Sequence, residues 1–67
     1  MTENERRADK ARRTLDQAAY GNGDFVDDMV DLLSDMMHCV EQQTGESFDD
    51  LVRRARDHYA TELEDAA

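Results

Sequence analysis

The chain has 67 residues and carries 17 acidic against 8 basic side chains, a formal net charge of −9. So acidic a body repels nucleic acid and anionic membrane and attracts basic surfaces. Its size allows one domain with about 3–5 kcal/mol of net stability from its own core, and a single cysteine, Cys39, excludes an intrachain disulfide.

Oligomerisation or a metal is left as the usual supplement for so small a core. A lone cysteine suits a reducing, cytoplasmic compartment. The start, Met1-Thr2-Glu3-Asn4-Glu5, is polar and has no apolar signal region. Apolar runs of two or three residues fall far short of the roughly 20 needed to span a membrane. The expectation is a cytoplasmic protein, neither secreted by a standard signal nor embedded in a membrane.

There is no proline, and Gly21, Gly23 and Gly45 divide the chain into three segments. The spacing predicts helices over about 3–20, 25–43 and 48–64. In the first, Thr2 and Glu5 form a T-x-x-E capping box. Its apolar stripe, Ala8, Ala11, Leu15 and Ala18, is mostly alanine and buries little area. It also holds five basic residues, Arg6, Arg7, Lys10, Arg12 and Arg13, interleaved with Glu3, Glu5, Asp9 and Asp16. That mixture, without an aromatic among the charges, argues against direct nucleic-acid binding. Pairing with the acidic second helix, within the chain or across a dimer, is the expectation.

The second segment opens on Asp24 as N-cap, with Asp27 and Asp28 near the positive end of the helix dipole. Two adjacent apolar stripes follow: Val26, Val30, Leu33, Met37 and Val40, and Phe25, Met29, Leu32, Met36 and Cys39. Together they cover about half the circumference, more than the roughly 100° a helix docking on one neighbour requires. Methionine adapts to irregular partners, but core filling is its commoner role. Cys39 is expected as a small buried hydrophobe. The opposite face carries Asp27, Asp28, Asp31, Asp35, His38 and Glu41, and no lysine or arginine lies on this helix.

The third segment has a second capping pattern in Ser47 and Asp50. Its apolar stripe is Phe48, Leu51, Val52, Ala55, Tyr59 and Leu63, flanked by Arg53, Arg54 and Arg56. Gly45 suits a left-handed C-terminal cap for the second helix. A link of about three residues makes the second and third helices antiparallel neighbours. The tail Asp65-Ala66-Ala67 is expected to fray. The fold is therefore all-α: a helical hairpin plus an N-terminal helix, packing as a dimeric bundle.

Asp35-x-x-His38 has the spacing of a carboxylate–imidazole pair in di-iron bundles, which project such pairs into the core. Here the pair lies on the polar face, so a solvated surface is the better reading. His58 has no nucleophile or second tuned group nearby in the pattern to make it catalytic. No enzyme activity, cofactor or metal is expected.

The stretch Asp31-Leu32-Leu33-Ser34-Asp35-Met36-Met37-His38, with Gly45, Phe48-Asp49-Asp50-Leu51, Arg54-Ala55 and His58-Tyr59, resembles short, acidic, helical proteins encoded on bacterial phages, plasmids and integrative elements. The resemblance covers about half the chain, from the second helix onward. That family has no assigned activity, so no functional residues carry over. The resemblance implies mobile-element cargo, where small acidic proteins often bind and inhibit host proteins.

The sequence thus points to a non-enzymatic homodimer that binds a basic, possibly nucleic-acid-binding protein through Asp24, Asp27, Asp28, Asp31, Asp35 and Glu41. Neighbouring acids on that helix lie about 5–6 Å apart along its axis, near the phosphate repeat of DNA, so a DNA mimic is the sharper form of this reading. The face left for core or dimer contacts is Phe25, Val26, Met29, Val30, Leu32, Leu33, Met36, Met37, Val40, Phe48, Leu51, Val52, Tyr59 and Leu63. The alternative is an assembly module whose role is oligomerisation, with the acids serving solubility.

Overall fold

Each helix begins where a short polar side chain can take up an orphan backbone amide. The computed structural model describes residues 1–66 and places helices at α1 (Glu3–Ala18), α2 (Phe25–Gln43) and α3 (Phe48–Ala66), with no strand among the described residues. Thr2 Oγ1 accepts from the Glu5 amide at 3.1 Å, Asp24 Oδ1 from the Val26 amide at 3.1 Å, and Ser47 Oγ from the Asp50 amide at 3.2 Å. The fold is all-α, as the periodicity predicts.

The helix ends differ from the sequence reading in three places. α1 stops at Ala18, short of Tyr20, because Ala19 turns left-handed (φ 55, ψ 51) and its amide donates to the Asp16 carbonyl at 3.2 Å. α2 is not closed by a left-handed Gly45, whose φ is not positive. Thr44 closes it in extended backbone instead: its hydroxyl donates to the Val40 carbonyl and accepts from the Glu46 amide, each at 3.0 Å. α3 runs two residues past its expected end and takes in Asp65 and Ala66, while Ala67 lies outside the described residues.

The helices form a thin, splayed layer. α2 and α3 meet at the Thr44–Ser47 link, where Val40, Phe48, Leu51 and Val52 border one groove. α1 spans the other end. Its Ala11 and Thr14 share a groove with Met29, Leu32 and Met36 of α2. Its N-terminal turn touches α3, where Asn4 Nδ2 donates to the Glu62 carbonyl at 3.2 Å and Arg7 pairs with the Glu62 carboxylate at 2.9 Å. The Arg12 guanidinium sits 5.0 Å over the Phe25 ring, a cation–π contact between α1 and α2.

This layer measures 36 × 32 × 16 Å, with a radius of gyration of 13.7 Å. A compact chain of this length has a radius of about 11 Å. Leu15, the one large residue of the alanine stripe on α1, is the single buried hydrophobe among the described residues. Everything else on the apolar faces is half-buried or exposed.

Two substitutions should move stability in opposite directions. Leu15→Ala truncates the one buried hydrophobe among the described residues and should cost about 2–4 kcal/mol in urea unfolding. Ala19→Gly relieves a left-handed alanine and should add about 0.5–1 kcal/mol, after the extra chain entropy of glycine is set against the relief. Both are read at one fixed protein concentration.

Candidate functional site

The acids of α2 divide by what holds them. Asp24 caps its own helix. The link between α1 and α2 runs back along the helix and supplies donors to three of the others. Asp28 Oδ1 accepts from the Asn22 amide at 3.2 Å, Asp31 Oδ2 from Asn22 Nδ2 at 2.7 Å, and Asp35 Oδ2 from the Tyr20 hydroxyl at 2.7 Å. Asp27 and Glu41 are exposed, with no hydrogen bond or ion pair from their side chains among the described residues. Gly21 and Gly23, at φ 73 and 75, give the link the left-handed turns that let it double back.

These donors are neutral. They fix carboxylates in place without reducing their charge. Cations go elsewhere: Arg6 pairs with Glu3, Arg12 with Asp16, Arg13 with Asp9 and Arg53 with Asp50, each within its own helix. Arg7 pairs across to Glu62 of α3. Among the described residues no ion pair reaches α2. So neither the N-terminal arginines nor Arg53 and Arg54 compensate these acids by an ion pair among the described residues. Exposed pairs at i, i+3 and i, i+4 contribute only a few tenths of a kcal/mol, but they order little extra chain, so they form first.

On the other side, the apolar face is poorly covered. Met29, Leu32, Val40, Phe48, Leu51 and Val52 are half-buried. Phe25, Val26, Val30, Leu33, Met36, Met37, Tyr59 and Leu63 are exposed, Val26 by 62% and Tyr59 by 64%. Cys39, expected inside, is also exposed; the groove that α1 forms on its stripe is bordered by Met29, Leu32 and Met36 and does not extend to it.

Asp35 is held by Tyr20 and His38 stands exposed beside it, with no third metal-ligating side chain to form a cluster among the described residues. His58 is exposed, and the neighbouring Glu62 carboxylate pairs with Arg7.

Sequence reasoning missed the role of Tyr20 and Asn22. A signal was present: a polar, glycine-flanked link adjoining a helix with no cation of its own.

The Tyr20 hydroxyl is held above its ordinary value of 10.0, first by its hydrogen bond to Asp35, then by desolvation and by the charges of Asp35 and Asp31. Because the folded value is the higher one, the tie is intact at neutral pH and is lost as pH rises from about 10 through the raised value. Ultraviolet titration in a Tyr59→Phe background should show a midpoint above 10, and Asp35→Asn should lower it. A midpoint unmoved by Asp35→Asn would remove the bond.

No protein-family model matches the sequence, and no curated protein or solved structure matches it.

Proposed function

We propose that this chain is a non-enzymatic interaction protein that engages a basic protein through the acidic edge of α2. The observation that carries the reading is the neutral clamping of that edge. Three carboxylates are held by Tyr20 and Asn22, and among the described residues no arginine pairs with them. Each clamp occupies one oxygen and leaves the second free to accept from an outside donor. Like charges at Asp24/Asp28, Asp27/Asp31 and Asp31/Asp35 each destabilise a helix by about 0.2–0.5 kcal/mol. Their retention, uncompensated within the chain, is accounted for by a cationic partner.

A row of fixed anions suits arginine and lysine side chains of a nucleic-acid-binding groove, which is the basis for the mimic form of the reading. The resemblance to mobile-element proteins is the reason to look for such a partner in a bacterial host. The assembly reading is supported by a different observation, the uncovered apolar face. The two readings use opposite sides of α2 and are compatible in one molecule.

The test is the triple change Asp28→Asn, Asp31→Asn, Asp35→Asn against a control of equal charge, Asp49→Asn, Asp57→Asn, Glu64→Gln. Asparagine keeps an oxygen for Tyr20 and Asn22, so the clamp survives while the charge goes. Titration with an arginine-rich peptide at two salt concentrations should show binding at least tenfold weaker for the α2 triple, with a flatter salt dependence. The control should change it less than twofold. Equal losses for both would reduce the acids to a general field and remove the functional edge.

A further inference from the structure

We infer that the exposed stripe Val26, Val30, Leu33 and Met37 of α2 is a seam filled by α2 of a second copy of this chain. The four residues follow one another at spacings of four, three and four, and the series continues to Val40. That is the alternation by which two helices interlock side chains along a shared seam. In the protomer the four are 62%, 57%, 43% and 52% exposed, so neither α1 nor α3 covers them. Leu33 also borders the groove of about 410 Å³ between α2 and α3, so the seam is continuous with a second uncovered apolar surface that ends at Tyr59.

The area identifies the occupant. The chain exposes 5640 Å², whereas a compact chain of its mass exposes about 4300 Å². Two copies merged into one compact body would expose about 7200 Å² between them. Each copy would then hide about 2000 Å², about 4000 Å² in all, which lies within the range of obligate homodimers. One buried side chain does not hold three helices together, so the covering layer has to be present whenever the chain is folded. Another copy meets that condition by its own synthesis. The contact is isologous, each stripe facing its equivalent across a two-fold axis. The inference is independent of the acidic edge, which lies on the other side of α2.

Sedimentation equilibrium of the full chain at micromolar concentration should give a mass twice the 7.7 kDa of the protomer. The helical circular-dichroism signal should fall in step with dissociation on dilution. Val30→Ala is the informative variant. Alanine is the better helix former and Val30 is exposed in the protomer, so a chain that folded alone would keep or gain stability. At a symmetric seam the lost methyl groups count twice, and the dimer should weaken at least tenfold. A folded monomer at micromolar concentration would overturn the inference, as would a monomer that lacks helix at every concentration. A dimer indifferent to both Val30→Ala and Leu33→Ala would move the interface off this stripe and overturn it equally.

Discussion

The width of the apolar face on α2 sets the terms for the rest of the molecule. Ten apolar side chains spread over about half its circumference, and two neighbouring helices are too few and too polar to cover them. α1 offers mostly alanine, and Leu15 alone among its residues becomes enclosed. α3 meets α2 near the Thr44–Ser47 link and leaves Leu33, Met36 and Tyr59 exposed along the groove. A helical domain ordinarily needs two layers around a core. This chain supplies one layer, 16 Å thick, and leaves its apolar side open.

The opposite side of α2 follows a different logic. Arg6, Arg12, Arg13 and Arg53 on α1 and α3 pair with acids one turn away on their own helices, where little side-chain ordering is needed. The α2 acids have no such neighbours. Tyr20 and Asn22 fold back over them and provide hydrogen bonds while leaving the negative charge in place. The same contacts seat the α1–α2 link on the helix, so one set of residues both orders the chain and displays the anions. The open apolar face and the anionic edge thus occupy separate sides of one helix.

Much of this was legible in the sequence. Thr2, Asp24 and Ser47 mark the helix starts through their own side-chain chemistry, which depends on neighbours three residues away or fewer. The excess of apolar surface on the second helix was readable from its periodicity alone. The helix stops were less so. Ala19 takes a left-handed conformation that glycine takes more easily, and Thr44 closes α2 where Gly45 had the expected chemistry. The contact between Tyr20 and Asp35 spans fifteen residues, and the α1 arginines other than Arg7 pair locally where pairing with the second helix was expected. Such outcomes depend on where the link places each side chain, which periodicity does not encode. Cys39 illustrates the same limit: a stripe says which residues share a face, not how far a neighbour extends over it.

The central claim is that the layer is incomplete without a second one, and amide hydrogen exchange measured at several protein concentrations tests it most directly. Amides of α2 from Val26 to Val40 should be well protected at high concentration, and their protection should fall on dilution together with that of α1 and α3, because all three helices lose their cover at once. Protection along α2 that is strong and independent of concentration would contradict the account, since it would mean that one copy of the chain holds itself folded with that face open to water.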